Sequence, residues 1–263
     1  MVHTGSLPAI IRNTLPELPL LASEYLWELI LGSFPFRWIV GRKVTAGSTG
    51  AIVKHRNQLL GFTIQYGKPA GAGVVYGYHH PLRGPVYYPL LDPFYVEIPQ
   101  LLGPEKKKTY LVCSTLGDPG QASDELLGSI DARYQEVGPD GEILDEKQRK
   151  TSTLHPARVP NLADRYGFSC FKDILLLLDD YDHLPFVRRH LEFSGMEHGL
   201  FCFRGAWKNE PYELPPGCQG SPILDEDAQL VSLLAGGDRN SRTYYGLNLW
   251  KFLSDAQFAE SGI

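Results

Sequence analysis

The chain has 263 residues, of which 43% are hydrophobic and 21% are charged. That length and composition allow a large buried core and exclude disorder over the whole length. Its 27 Gly and 20 Pro are typical of a loop-rich β protein rather than a helical bundle. The formal net charge of −5 predicts no nucleic-acid partner, since such surfaces are usually basic. The absence of any run of about 18 apolar residues predicts no membrane partner.

Residues 1–35 are predicted to form an N-terminal extension with one short helix. The helix runs from Ser23, a plausible N-cap, to Leu31, with apolar residues recurring at helical spacing between them. Gly32 and Pro35 end it. Prolines interrupt the apolar stretch before the helix and no basic segment precedes it, so it makes a poor signal peptide.

Short β-prone segments separated by Gly, Pro and Asn fill the chain from residue 36 to about residue 100. Short β-prone segments that Gly, Pro and Asn repeatedly interrupt predict a β-sandwich or a β-barrel. Asn57 suits the tip of a hairpin between two of these segments. The strands are predicted at Arg37–Lys43, Thr49–His55, Leu59–Gln65, Gly73–Tyr78, Pro85–Tyr88 and Phe94–Ile98.

Residues 102–160 are polar and turn-rich, which is unusual for a connection inside a compact domain. We interpret them as an inserted surface loop with one strand, Thr109–Ser114, and one short helix, Ser123–Ile130. The first β-barrel then covers 36–182 with this insertion, and the second barrel with a C-terminal helix covers 183–263. Later strands are predicted at Lys172–Leu178, Gly199–Arg204, Pro222–Leu224, Leu230–Ala235 and Tyr244–Leu249, and the closing helix from Leu249 to about Ala259.

The most informative motif is PGCQGSPIL at residues 216–224. An acidic turn, the strand LVSLLAGG and the strand TYYGLNLW follow it. Gly217 and Gly220 permit positive φ angles and the close approach of another backbone. A loop of this kind can aim successive N–H groups at one point, as in an oxyanion hole, with Gly217 as a backbone candidate.

This motif resembles the nucleophile loop of trypsin-like serine peptidases, G-D-S-G-[GS]-P followed by strand, turn and strand. It is similar above all to divergent intracellular members found in fungal multidomain proteins. Under the match Gly217, Gly220 and Pro222 keep the glycines and the proline. The nucleophilic serine falls on Gln219, and the aspartate before it falls on Cys218. The resemblance implies an all-β, trypsin-like double β-barrel.

Two further segments resemble parts of the same family and occur in the family's order. GSTGAIVKHRNQLLGFTIQYG, at Gly47–Gly67, is similar to the hairpin whose second strand carries the general-base histidine, and that position is Tyr66 here. FKDILLLLDD, at Phe171–Asp180, resembles the strand that opens with the orienting aspartate, which falls on Asp173. The resemblance therefore implies that Tyr66, Asp173 and Gln219 occupy the three catalytic positions.

The residues at those positions predict loss of catalysis. A serine peptidase needs an activated nucleophile, a base beside it and a group that orients the base. The side-chain amide of Gln219 is no nucleophile, and the phenol of Tyr66, with an ordinary pKa of about 10, is a poor base near neutrality. Asp173 alone supports no reaction. We expect an inactive peptidase homologue that binds a protein or peptide.

Two alternatives remain open at the level of sequence. Cys218 could be a displaced nucleophile with His79 or His80 as its base, which would make the chain an active cysteine-type hydrolase. The second alternative is an unrelated β-rich interaction protein whose resemblance is accidental. It predicts that Tyr66, Asp173 and Gln219 lie far apart.

Short motifs and the cysteine spacing lead to expectations about cofactors, metals and the cellular compartment. GKPAGAG at Gly67–Gly73 lacks the G-K-[ST] ending of a phosphate loop, and the four Cys form no C-x-x-C pair or Cys/His cluster with zinc spacing. We therefore expect no cofactor and no metal. Four Cys could form disulfides only in an oxidising compartment, and the simpler expectation is a cytoplasmic protein with reduced thiols. Tyrosines and prolines concentrated between Tyr76 and Tyr88 suit either a peptide groove or core packing.

Overall fold

Antiparallel strands dominate this computed structural model, with short helical stretches near both ends of the chain. The described residues are 25–26, 28–30, 32–40, 43–55, 58–67, 73–80, 84–90, 93–98, 108–115, 133–137, 143–148, 159–171, 185–207, 211–249 and 251.

The first seven strands form one antiparallel sheet in the order β5-β4-β1-β2-β3-β7-β6. His55 pairs with Gln58, which confirms the hairpin predicted between β2 and β3, although Asn57 itself lies outside the described residues. The strands are β1 (Phe34–Val40), β2 (Lys43–His55), β3 (Gln58–Tyr66), β4 (Gly73–His80), β5 (Gly84–Pro89), β6 (Phe94–Ile98) and β7 (Thr109–Thr115).

Strand β7 corrects the start of the predicted insertion at residue 102. It pairs with β3 on one side and with β6 on the other, so it belongs to the sheet rather than to an excursion from it. A separate two-stranded hairpin lies later, formed by β8 (Arg133–Val137) and β9 (Ile143–Gln148). The helix predicted at Ser123–Ile130 lies outside the described residues.

The last six strands close into a barrel in the order β10-β11-β12-β15-β14-β13, with β13 pairing back onto β10. Strand β10, which starts at Arg165, is one of the strands of this barrel. The strand predicted at Lys172–Leu178 lies outside the described residues. The strands are β10 (Arg165–Phe171), β11 (Pro185–Glu197), β12 (Leu200–Gly205), β13 (Pro222–Asp225), β14 (Leu230–Asp238) and β15 (Thr243–Leu247).

The prediction of an all-β fold is confirmed, and the double barrel is confirmed for the C-terminal unit. The described strands of the N-terminal unit form a sheet with β5 and β6 outermost.

Strand β12 shows how the core divides, because successive side chains of a strand face opposite ways. Phe201 and Phe203 face the barrel interior, where they pack with Tyr166, Leu234 and other buried residues. Leu200 and Cys202 face the other way, into a second cluster shared with the N-terminal sheet. The sheet supplies residues of β2, β3 and β7 to that cluster. The barrel therefore has its own interior, and the sheet is buried against the outside of the barrel.

Residues 25, 26 and 28–30 are helical, in agreement with the predicted N-terminal helix. The Tyr25 hydroxyl donates to the Leu224 carbonyl at 2.9 Å, so the helix packs on the barrel. Residues 249 and 251 are helical at the start of the predicted closing helix. Among the described residues, no helix has the length and apolar character needed to cross a membrane.

Candidate functional site

The motif at residues 215–221 folds as two consecutive β-turns that share Cys218. In the first, the Cys218 N–H donates to the Pro215 carbonyl at 3.3 Å, and Gly217 has a φ of 86°. In the second, the Ser221 N–H donates to the Cys218 carbonyl at 3.1 Å, and Gly220 has a φ of 87°. A positive φ at the third position, with Pro216 at the second position of the first turn, is the pattern of type II turns. The two glycines therefore fix the path of the loop.

Thr49 on β2 anchors the first of these turns to the N-terminal sheet. Its N–H donates to the Gly217 carbonyl at 2.7 Å, and its hydroxyl donates to the same oxygen at 2.9 Å. The hydroxyl also accepts the N–H of Phe171, the last residue of β10, at 3.1 Å. One buried threonine thus joins β2, the end of β10 and the turn. No pattern in the sequence distinguishes Thr49 from other strand threonines.

Gly220 anchors the second turn by close backbone approach. A Cβ at this position would collide with the Thr49 carbonyl oxygen and would lie 2.8 Å from the Ile64 nitrogen. The Gly220 N–H donates to the Leu234 carbonyl at 2.7 Å, which ties the turn to β14 as well. The glycine is needed here for space as well as for its φ angle.

The loop that carries Gln219 lies against β3, the strand that ends at Tyr66, because a Cβ at Gly220 would lie 2.8 Å from the Ile64 nitrogen. Tyr66 is the last residue of β3 and is 44% exposed. Partial burial raises the pKa of its phenol, and the nearby side-chain amide of Gln219 opposes that rise. The Tyr66 hydroxyl stays protonated near neutrality and can itself donate.

Cys218, the alternative nucleophile, forms a disulfide with Cys170 of β10. Both sulfurs are fully buried. A sulfur in a disulfide has no thiolate to attack a substrate, so the structure contradicts Cys218 as a nucleophile in this state. The expectation of reduced thiols is likewise wrong for this pair, while Cys113 and Cys202 are free and buried.

The remaining predicted site residues are only partly described. Asp173 lies outside the described residues, two positions along the chain from Phe171. His79 and His80 end β4, where they pair with Pro85 and Gly84 of β5, and the placement of their side chains is likewise outside the description. Their predicted roles therefore stay predictions.

Tyr212 is a neighbour of Tyr66 that the sequence did not single out. Its ring stacks on that of Tyr244, with centroids 4.8 Å apart, and its hydroxyl contacts Gly237. Burial is the largest cause that raises the Tyr212 pKa, followed by the nearby Tyr244, Asp238 and Tyr66. Tyr212 therefore adds a protonated phenol to this part of the molecule.

The chemistry available at the site is hydrogen bonding rather than proton transfer. Tyr66 and Gln219 offer neutral donors and acceptors, and neither supplies a strong base or a nucleophile near neutrality. The described part of the chain also contains no group of three or more His, Cys, Asp or Glu side chains placed to hold a metal ion.

No protein-family model and no curated protein matches the chain in sequence. Among solved structures, it is similar to the crystal structure of the serine endoprotease from Yersinia pestis, with a TM-score of 0.50 and 8% sequence identity. The match covers 90% of this chain but 65% of that chain, so this chain spans less than two thirds of the endoprotease.

At 8% identity the likeness concerns the fold alone. With the closed barrel and the second sheet, it shows a trypsin-like β-barrel fold. The fold implied by the loop motif is therefore confirmed. The interpretation as an unrelated β protein predicted that Tyr66, Asp173 and Gln219 lie far apart, and Asp173 lies outside the described residues.

Proposed function

We propose that this chain is an inactive homologue of trypsin-like peptidases that acts by binding a protein or a peptide. The observation that carries the proposal is the close approach of the Gln219 loop to β3, the strand that ends at Tyr66: a Cβ at Gly220 would lie 2.8 Å from the Ile64 nitrogen. Gln219 and Tyr66 are the two positions at which the loop and hairpin motifs imply a nucleophile and a base. The fold supports the comparison, and the side chains present argue against hydrolysis.

The rest of the loop offers no replacement nucleophile. The Ser221 hydroxyl is fully buried and donates to the Cys218 carbonyl at 2.7 Å, so it neither faces a substrate nor has a base beside it. Cys218 is held in its disulfide. A chain that retains the loop backbone without a nucleophile retains the means to bind a polypeptide and loses the means to cleave it.

The location of the protein in the cell belongs to this proposal. The cytoplasmic location predicted from the sequence rested on reduced thiols. The disulfide between Cys170 and Cys218 favours an oxidising environment instead, because such bonds rarely persist in the cytosol.

The proposal is tested by presenting the purified protein with a pool of random peptides and measuring cleavage and retention together. We expect mass spectrometry to find no new peptide termini, while the immobilised protein retains a subset of the pool. New termini produced by the wild type and abolished by Gln219→Ala would contradict inactivity. Retention no greater than on protein unfolded in urea would contradict binding.

A further inference from the structure

Trp207, two residues beyond β12, is the largest apolar side chain that the described part of the chain exposes to solvent. It is 59% exposed. Its indole packs at a tilt against the His190 imidazole of β11, with ring centroids 4.7 Å apart. The neighbouring Ala206 N–H donates to the His190 carbonyl at 2.8 Å, so the backbone beside the indole is held as well. Trp207 therefore presents an aromatic surface whose position is fixed.

Charged side chains of three neighbouring strands lie in one row on the outer face of the barrel. Glu192 of β11 lies directly opposite Arg165 of β10 and Arg204 of β12. Directly opposite residues of antiparallel strands share a face. Arg204 follows Phe203, which faces the barrel interior, so the shared face is the outer one. Two arginines and one glutamate give this row a positive charge on a chain whose formal net charge is −5.

The two arginines of the row have different partners. The Arg165 guanidinium lies 2.9 Å from the Glu192 carboxylate, so these two charges offset each other. The Nε–H of Arg204 donates to the Thr243 hydroxyl at 3.2 Å, which orients the guanidinium and leaves its charge in place. Arg204 is exposed, and a guanidinium presents its other N–H donors as a fork that matches a carboxylate. Arg204 is therefore the better placed of the two to bind an anion.

The charged row and the Trp207 indole belong to one surface. His190 precedes Glu192 by two residues and Trp207 follows Arg204 by three, so both rings lie on the same side of the row, because β11 and β12 are antiparallel. At a rise of about 3.3 Å per residue, Trp207 lies roughly 10 Å along the chain from Arg204. Burial is the largest cause that lowers the His190 pKa, and the charge of Arg165 contributes, in agreement with this spacing.

A polypeptide segment with an acidic side chain near an apolar one fits both features. We propose that this surface, formed by Arg165, His190, Glu192, Arg204 and Trp207, binds such an acidic segment of a partner protein. A carboxylate of the segment lies on Arg204, and an apolar side chain covers the exposed face of Trp207. Tryptophan and arginine are among the side chains that dominate binding at protein interfaces. This inference rests on the proposed function and names a surface and the chemistry of the partner.

Single-stranded nucleic acid also binds where arginine lies beside an aromatic ring. Such sites follow the phosphate backbone with a positively charged groove. Here Glu192 places a carboxylate in the middle of the row. A polypeptide can place its acidic side chain opposite Arg204 and a neutral one opposite Glu192, whereas a nucleic acid carries a charge at every phosphate. The row therefore favours a polypeptide.

The test compares two pools of octapeptides, each with Phe or Leu fixed near the centre. In the acidic pool the other positions are Asp, Glu, Gly or Ser, and in the amide pool Asn and Gln replace the two acids. Each pool is passed over the immobilised protein, and retained peptides are quantified by mass spectrometry. We expect at least ten-fold greater retention from the acidic pool.

Three other outcomes would overturn this inference. Equal retention from the two pools would overturn the acidic surface, and the proposed function would stand if the pool of random peptides is still retained. Retention from none of the three pools would overturn both. Tighter binding of a random single-stranded DNA dodecamer than of the retained acidic peptides would assign the surface to nucleic acid instead.

Two variants test the residues of the surface. Trp207→Ala and Arg204→Gln should each lower the affinity for a retained acidic peptide about ten-fold. Their controls are Val40→Ala at the end of β1 and Lys108→Gln beside β7, which make comparable changes at exposed residues of the N-terminal sheet and should leave the affinity unchanged. Wild-type affinity in both site variants, with folding verified by circular dichroism, would contradict the assignment.

Discussion

The closed barrel and the seven-stranded sheet bury their side chains in different ways. The barrel encloses a cluster made only of its own strands and the loop that carries Cys218. The sheet buries residues of β2, β3, β6 and β7 in a cluster to which the barrel contributes residues of β12, β13, β14 and β15. The barrel is thus self-contained, and the sheet depends on it. The candidate site lies at their junction and needs both to keep its geometry.

Matched truncations give the largest expected effect. Phe203 lies inside the barrel, with its ring 5.2 Å from that of Tyr166, whereas Phe94 is partly buried on the outermost strand β6. Phe203→Ala should lower the free energy of unfolding by about 4 kcal/mol, and Phe94→Ala by less than half as much. Urea denaturation measures both. Equal losses would contradict a self-contained barrel.

Removal of the disulfide should give the second-largest loss of stability, because this bond joins the loop that carries Cys218 to β10. Cys170 and Cys218 are 48 residues apart, and replacing both by Ala should cost about 3 kcal/mol. A reductant should destabilise the wild type and leave the double variant unchanged. Alkylation of the unfolded protein should label Cys113 and Cys202 without reductant and all four Cys after reduction. Labelling of all four without reductant would contradict the disulfide.

A substitution at Thr49 tests the junction between the N-terminal sheet and the barrel. Thr49→Val keeps the shape but leaves the Phe171 N–H without its acceptor and removes one bond to the Gly217 carbonyl. We expect a loss of about 2 kcal/mol in unfolding free energy. The control Thr45→Val, at an exposed position whose hydroxyl donates to the Trp38 carbonyl at 3.1 Å, should cost about 0.5 kcal/mol. A Thr49 loss no larger than the control would show that the hydroxyl does not join the two units.

The smallest expected effect is a pH dependence of the free energy of unfolding that His190 of β11 causes. The His190 ring packs at a tilt against that of Trp207, with centroids 4.7 Å apart. Burial, followed by the charges of Arg189, Arg165 and Arg188, lowers the His190 pKa. The unfolded chain therefore binds a proton more readily, and the stability contributed by neutral His190 is lost as pH falls below about 6.5. The effect should stay under about 1 kcal/mol, because the side chain is only partly buried.

His190→Asn should flatten this pH dependence. His198→Asn is its control, since His190 and His198 both adopt positive φ angles, 56° and 52°, that Asn tolerates. Denaturation midpoints at pH 5.5 and 7.5 give the comparison. An unchanged slope in His190→Asn would contradict the assignment of this titration to His190.

The sequence predicted strands where Gly, Pro, Asn or other turn residues separate regular β-prone segments, as in β2, β3 and β12 to β15. Strands β10 and β11 were missed because their register shifts at bulges between Tyr166 and Phe168 and between Phe193 and Gly195. A bulge breaks the two-residue alternation on which strand prediction depends. The strand order of the N-terminal sheet could not be predicted, because it depends on pairing between distant strands, which no local pattern records.

The candidate site, like the fold, could be predicted from the sequence only in part. The loop motif predicted the glycine turns, because positive φ angles demand glycine at particular positions. Cysteine spacing cannot give a pairing such as Cys170 with Cys218, because connectivity is a property of the folded chain. The roles of Thr49 and Tyr212 were equally hidden, since both depend on contacts between distant segments.

The central claim is that a peptidase-like backbone here carries side chains that cannot act as nucleophile and base. Incubation with a fluorophosphonate probe, which reacts with activated serine nucleophiles, tests it directly. The wild type should remain unlabelled, while Tyr66→His combined with Gln219→Ser should gain labelling at residue 219. Stoichiometric labelling of the wild type within residues 215–221 would contradict the account.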